Sequence, residues 1–408
     1  MTAGDTAMRT AVRPAFQVKE LLPLLGAELL AGSAEAWVSA LSTDSRVLEA
    51  GDYFLALKGE RFDGHGFAQE ALAKGAGGVI VERNAGRRLL ASTPPTASRP
   101  VLGVEDPLAA LQALAAAHRR RFHLPMIGIT GSNGKTTTKE MTAAILSCRR
   151  RVLKTHGNLN SQIGLPLVVL RLAAEHAVAV LELGISRHGE LTRLCRMAQP
   201  TIGVITNIGP AHTEFLGDLD GVRRAKAELL EALPADGVAL LNRDDEAYDW
   251  LRRRCRCRSV SFGLSAAADV RAVVHEAGSP SSDGAPRQVL TLQWPGGRAE
   301  ATTPAVGLHN ACNAAAAAAA ALQVGAGPDE IAAGLGAVEL PAMRSEWRSL
   351  PGGARVLLDA YNANPLSVRR ALETAARLAG RGRVVAVLGD MLELGPAARR
   401  WHEEMGAA

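Results

Sequence analysis

Gly131-Ser132-Asn133-Gly134-Lys135-Thr136-Thr137 sets a lysine and two threonines behind a short glycine-bearing turn. In such a turn, backbone N–H groups and the positive end of a helix dipole face an anion. A lysine there adds charge, and a threonine hydroxyl can ligate Mg2+. The pattern departs from the general phosphate loop at one place: the first glycine would fall on Ile129, with Gly128 one position early. Three more groups could take part. Glu182 ends the apolar run Ala177–Leu183, and a buried carboxylate is expensive without a partner such as a metal ion. His212 lies just beyond Ile202–Ile208; a lone histidine is more often structural, but beside a nucleotide site and a strand-end acid it reads as functional. Lys226, within Val222–Glu228, reads from spacing alone as a solvated lysine on an exposed helix face. The expected ligand is a nucleoside triphosphate.

The elements around these residues fall into three blocks. Met126–Ile129 predicts a strand and Lys139–Leu146 a helix, which together give the turn its strand and helix N-terminus. Residues 1–105 predict a small α/β domain with strands at Tyr53–Leu57 and Gly78–Val81, a helix at Phe67–Lys74 and a polar loop at Ser92–Pro100. In residues 106–342, Asp106 caps a helix at Pro107–Arg121. Strands at Ala177–Leu183, Ile202–Ile208, Gly237–Leu241 and Ser259–Phe262 then alternate with helices at Leu165–Leu170, Gly221–Leu233 and Asn310–Leu322. Such alternation predicts a parallel, doubly wound sheet with ligands beyond the carboxyl ends of its strands. Ala266–Ala299 breaks it and reads as a polar hairpin insertion, and the Ala314–Ala321 run as a helix packed closely on its neighbours. Residues 343–408 predict a strand at Val356–Asp359, a helix at Leu366–Leu378 and a strand at Val384–Leu388.

The net charge of +5 comes from arginines scattered through predicted helices. With no basic arm or block, a nucleic-acid partner is not expected. Five cysteines at 148, 195, 255, 257 and 312 match no zinc or disulfide spacing, which fits a reducing, cytoplasmic setting. No run is long enough to be a membrane span, and the N-terminus has no leader pattern.

Further motifs give the chain a resemblance. Ser42–Arg46, Gly51–Phe54, Lys58–His65, Gly157–Pro166, Gly307–Asn313, Leu358–Pro365 and Leu388–Gly395 together resemble the Mur ligase superfamily. The last two resemble its branch that adds D-alanyl-D-alanine. The compact form of the phosphate loop is similar to that of the same ATP-dependent amide ligases. The resemblance implies a small N-terminal α/β domain, a central P-loop domain with a parallel sheet and a Rossmann-like C-terminal domain. It also implies acyl-phosphate chemistry: a UDP-N-acetylmuramoyl-tripeptide carboxylate attacks ATP, and the amine of D-alanyl-D-alanine then displaces phosphate.

The resemblance also assigns roles. Gly131, Ser132, Asn133, Gly134, Lys135, Thr136 and Thr137 would hold the phosphates, and Asn242 and Asn310 the adenine or ribose. Arg344 and Asp359 would reach the nucleotide from the third domain. Thr136 and Glu182 would hold one Mg2+, with Glu182 and His212 at a second, and Lys226 would be carbamylated. Ser45, Arg46, Lys58, Asp63, His65, Asn158 and Asn160 would meet the uridine-linked substrate, and Tyr361, Asn362 and Asn364 the dipeptide. A monomer is expected. Two departures stand out. Met343 precedes Arg344 where the family usually has glycine, and residues 343–408 are fewer than the about 100 an independent doubly wound domain takes. The last domain is therefore expected to be incomplete. The alternatives are a tripeptide-forming or folylpolyglutamate-type ligase, or an inactive nucleotide-binding form.

Overall fold

The computed structural model describes residues 16–59, 62–92, 99–275 and 284–408. Glu60 and Arg61 of the Lys58–His65 motif, the centre of the Ser92–Pro100 loop and part of Ala266–Ala299 lie outside the described residues. Packing divides the chain into two compact units: residues 1–123 with 156–175, and residues 124–155 with 176–408.

In the first unit, strands Leu41–Ser42, Tyr53–Leu55, Gly78–Glu82 and Val101–Val104 run parallel, and Glu28–Ala31 pairs antiparallel at the Val101–Val104 edge. The continuous apolar runs of these strands are buried, as parallel strands covered on both faces require. Helix Pro107–Arg119 begins as its sequence predicts, with the Asp106 carboxylate accepting from Leu108 N–H at 2.8 Å. It packs with helix Gly164–Val169 inside this unit.

The second unit is built on a nine-stranded sheet. From one edge the order is Gly297–Thr303, Gln288–Trp294, Val270–Val274, Arg258–Gly263, Val238–Asn242, Ile202–Ile205, Met126–Thr130, Val178–Glu182 and Val152–Lys154. The last seven run parallel; Gln288–Trp294 runs against them, and Gly297–Thr303 pairs antiparallel with it at the edge. The Ala266–Ala299 stretch is thus not a separate insertion: its described strands extend the same sheet.

Strand alternation decides what covers each face. Ile127 and Ile129 share a core with Met141 and Ile145 of helix Lys135–Ser147 and with Ala311 and Ala314–Ala321 of helix Leu308–Leu322. Those alanines are wholly buried, because side chains this small let a helix lie close to its neighbours. On the opposite face Gly128 and Gly203 lie beneath Leu229 of helix Leu219–Ala232.

The third block joins this unit as an antiparallel hairpin, Glu346–Ser349 with Arg355–Leu358, followed by helices Pro365–Ala379 and Ala398–Ala407. Val384–Leu388 is a correction to the sequence reading. It forms no strand, and Val387 is 93% exposed. The apolar run has the composition of a strand, but it pairs with no neighbouring strand among the described residues.

Candidate active site

Two glycines shape the turn after strand Met126–Thr130. A Cβ on Gly131, at φ +144°, would lie 1.9 Å from Thr206 Oγ1. One on Gly134, at φ +79°, would lie 2.3 Å from Asn313 Oδ1. Only glycine meets both the conformation and the space. The turn is bolted to the adjacent strand end: Ser132 N–H donates to the Asn207 carbonyl at 2.9 Å and Ser132 Oγ to the Gly209 carbonyl at 2.8 Å. Helix Lys135–Ser147 starts directly at Gly134. Lys135 folds over the turn, its Nζ donating to the Gly131 and Ser132 carbonyls at 2.8 and 3.2 Å.

The parallel register sets Glu182 beside Ile129, at the carboxyl end of its own strand. Its carboxylate is buried, and its N–H donates to Thr155 Oγ1 at 3.0 Å. Lys226 is only 1% exposed, which overturns the reading of a solvated helix-face lysine. The helix presents it inward, and its Nζ has no hydrogen-bond partner among the described residues. Burial drives its pKa well below the ordinary lysine value; the Lys135 charge adds to this, while Glu190, Glu228 and Glu182 oppose it. Burial likewise lowers the pKa of Lys135, against the Glu182 charge and with that of Arg344. Burial also lowers the pKa of His212, with Glu393 opposing and Lys226 and Lys135 assisting. Lys135, Glu182, His212 and Lys226 thus share one electrostatic neighbourhood.

His212 and Glu393 both adopt left-handed backbone conformations and face each other, with His212 Nδ1 against Glu393 Oε2. Glu214 N–H donates to the Glu393 carbonyl at 3.1 Å and Thr213 Oγ1 to the Leu394 carbonyl at 3.2 Å. The Leu388–Gly395 motif is therefore a latch on the histidine turn.

One cavity of about 580 Å3 brings the blocks of this unit together. Ser132–Thr137, Asn242, Asn310, Arg344, Asp359, Tyr361 and Asn362 line it. Asn310 is held by its Nδ2 donating to the Val306 carbonyl at 2.8 Å, and Asn242 by its Nδ2 donating to the Thr206 carbonyl at 2.8 Å. The Arg344 guanidinium lies 4.2 Å from the Tyr361 ring centroid. Burial raises the Asp359 pKa, against a hydrogen bond from Ser345 N–H and the Arg344 charge. Asn364 is absent from the lining; its side chain is turned to Asn133 and to the start of helix Pro365–Ala379. The sequence reading missed Asp244, Asp245 and Arg370, which also line the cavity. Asp244 and Asp245 follow Asn242 in the sequence and could have been found there, whereas nothing local marks Arg370. The wall also holds His309, whose pKa burial lowers to about 4 with help from Arg370.

The remaining site residues sit in the first unit. Arg46 pairs with Asp44 at 2.7 Å, and Ser45 is buried. Asp63 accepts from His65 N–H at 3.0 Å and meets His65 Nδ1 at 2.5 Å, while His65 Nε2 accepts from Glu82 N–H at 3.0 Å. That pattern fixes the proton on Nδ1. Lys58 bridges to Asp63 through the backbone. Asn158 and Asn160 lie in the turn before helix Gly164–Val169, with Asn160 N–H donating to the Asn158 carbonyl at 2.7 Å.

As to metal, no group of three or more His, Cys, Asp or Glu side chains gathers among the described residues. Mg2+ bound through substrate phosphates needs only one or two carboxylates and keeps several waters. The buried Glu182 carboxylate and the Thr136 hydroxyl, both beside the phosphate turn, fit that pattern.

Comparison with known proteins finds three matching families: the Mur ligase family catalytic domain over residues 38–119, the Mur ligase middle domain over 129–321 and the Mur ligase glutamate ligase domain over 343–408. The expected shortfall of the third domain gains no support from these matches. The UDP-N-acetylmuramoyl-tripeptide–D-alanyl-D-alanine ligase of Bacillus subtilis is 38% identical over 370 residues, covering 91% of this chain and 77% of that protein. Among solved structures, MurF from Acinetobacter baumannii superposes with a TM-score of 0.84 at 33% identity, covering 97% of this chain and 83% of that one. The MurF ligase from Thermotoga maritima, solved in complex with ADP, superposes with a TM-score of 0.79 at 29% identity, covering 91% and 82%.

Proposed function

The chain belongs to the Mur ligase family, and we infer from that membership and from the cavity that it joins D-alanyl-D-alanine to UDP-N-acetylmuramoyl-tripeptide at the expense of ATP. It is an ATP-dependent peptide ligase of peptidoglycan precursor synthesis. The observation that carries this reading is the shared wall of the cavity, which the phosphate turn lines together with Arg344, Asp359, Tyr361 and Asn362. A tripeptide-forming or folylpolyglutamate-type ligase is not favoured: the solved UDP-N-acetylmuramoyl-L-alanyl-D-glutamate–2,6-diaminopimelate ligase and the FPGS–folate complex are only 22% and 16% identical, against 38% for the D-alanyl-D-alanine ligase of Bacillus subtilis.

The substrate carboxylate oxygen attacks the γ-phosphorus of ATP, the bond to the bridging oxygen of ADP breaks, and an acyl phosphate forms. The dipeptide amine then attacks the acyl carbon. The tetrahedral intermediate collapses with loss of inorganic phosphate and of the amine proton. Two anions must approach each other, so the site needs cations and oriented dipoles rather than a protein nucleophile. Lys135 and the amides of residues 131–137 would hold the β- and γ-phosphates, and His212 would lie by the transferring group. Asn242 and Asn310 would bind the nucleoside, with Arg344 and Asp359 on the ribose and phosphates. Mg2+ held by Thr136 and Glu182 would offset phosphate charge, and His212 would border a second ion. Tyr361 and Asn362 are assigned to the dipeptide. Ser45, Arg46, Lys58, Asp63, His65, Asn158 and Asn160 are assigned to the uridine-linked substrate. Domain boundaries near 105 and 342, a monomer and a cytoplasmic site of action complete the proposal.

Lys226 fits carbamylation: an amine must be neutral to attack CO2, and burial favours that form. The N–C bond forms with loss of one proton, and the product is a carboxylate near the Lys135 charge, with Glu182, Glu190 and Glu228 also in its surroundings. A 13C carbamate resonance under labelled bicarbonate, lost in Lys226→Ala, is expected; a spectrum without it removes the assignment.

The function is tested by phosphate release from ATP with UDP-N-acetylmuramoyl-tripeptide, with and without D-alanyl-D-alanine. Release that requires the dipeptide, with the UDP-pentapeptide detected by mass, is expected. Release that ignores the dipeptide would refute it.

A further inference from the structure

The phosphate turn and the third block meet through two side-chain amides. Asn133 Nδ2 donates to Asn364 Oδ1 at 3.0 Å, and Asn364 Nδ2 donates back to Asn133 Oδ1 at 2.6 Å. The orientation of this pair follows from a third bond. Ser367 N–H donates to Asn364 Oδ1 at 3.0 Å, so that atom must be the acceptor, and Asn133 must then present its amide in complement. Asn364 is 6% exposed, and both ends of its amide are engaged.

Asn133 is gripped independently on its other side. Its N–H donates to Asn207 Oδ1 at 2.9 Å, and its carbonyl accepts from Thr206 Oγ1 at 2.5 Å and Asn207 Nδ2 at 3.1 Å. The strand end thus sets the main chain of the turn, and the Asn133 side chain is left to reach the third block. What it reaches is the residue that caps helix Pro365–Ala379, whose first turns put Leu366, Ser367 and Arg370 on the cavity wall.

We propose that Asn364 is a positioning residue rather than a dipeptide contact, and that its amide pair with Asn133 holds the opening turn of this helix against the phosphate turn. The third block then contributes to the nucleotide cavity only while the turn keeps the conformation that presents Asn133. This rests on the ATP-dependent ligase reading for its catalytic consequence, although the clamp itself does not.

Asn364→Ser separates the clamp from simple capping. Serine is an equally good N-cap but is too short to reach Asn133. The variant is expected to lose no more than about a few degrees of thermal midpoint, while the KM for ATP rises about tenfold or more, as expected for the loss of two hydrogen bonds. Asn133→Ala should match it, and the double variant should be no worse than either single one, because both remove the same contact. A rise in the KM for D-alanyl-D-alanine alone would instead make Asn364 a substrate contact and overturn the proposal. So would full additivity of the two changes. Hydrogen exchange in the nucleotide-free protein reads the clamp without any ligase activity. Residues 132–136 and 366–370 should both exchange faster in Asn364→Ser, and unchanged exchange would refute the clamp even in an active ligase.

Discussion

Lys139 is wholly buried four residues into the phosphate helix, where a charge is tolerated only if paired. Its Nζ donates to the Thr155 carbonyl at 2.8 Å and lies 2.7 Å from Glu140, which also binds Lys154 at 2.5 Å. Thr155 in turn accepts the Glu182 N–H, so this ion group supports the strand end that carries the site carboxylate. Glu140→Gln leaves Lys139 buried without its counter-charge and should destabilise the protein by about 3 kcal/mol, measurable by denaturant unfolding. Burial by itself would raise the Glu140 pKa, but Lys139 and Lys154 together outweigh it and hold the pKa below the ordinary 4.5. A depressed carboxylate stabilises the fold above its unfolded pKa, and the contribution is lost as pH falls through the folded value. The gap between wild type and Glu140→Gln should therefore be full at neutral pH and close only below about 4.5. A gap that persists unchanged at lower pH would show that the charge is not its source.

At the scale of elements, the phosphate helix is held from behind by helix Pro328–Gly336. A Cβ on Gly334 would lie 2.3 Å from Ile145 Cα, a backbone atom that cannot swing aside. Helix propensity alone predicts that Gly334→Ala stabilises by about 1 kcal/mol. The contact reverses the sign, and we expect a loss of about 1–3 kcal/mol with weakened nucleotide binding as the helix is pushed toward the cavity. A raised thermal midpoint in Gly334→Ala would show that the two helices are not so closely packed. The latch of Glu393 on His212 belongs to the same scale, since two short turns from different blocks define each other's left-handed residues.

At the scale of the whole molecule, the cavity proposed for the nucleotide lies within one of the two compact units, residues 124–155 with 176–408. Ligand bound there stabilises what it touches, by about 2.7 kcal/mol at a hundredfold excess over Kd. Hydrogen exchange with and without saturating ADP should show added protection at 131–137, 242–245, 308–313 and 359–370, and none in strands Tyr53–Leu55 and Gly78–Glu82 of the other unit. Protection confined to that other unit would contradict the site.

The phosphate-binding pattern and most of the elements are legible in the order of the residues alone. The glycine spacing of 131–137, the strand–helix alternation and the paired asparagines of 307–313 are local patterns, and local sterics and backbone dipoles oblige them to form what they form. Strand and helix positions agree closely because continuous apolar runs mark strands buried on both faces, and apolar residues at helical spacing mark the helices. The tertiary structure alone decided which way Lys226 faces, since a helix of mixed composition has no unique buried side until its neighbours arrive. It turned Asn364 from the cavity to Asn133, across 231 residues of chain. It also left Val384–Leu388 unpaired, although its composition is that of a strand: a strand is completed by hydrogen bonds to another segment, and no run of apolar residues can supply those from within itself.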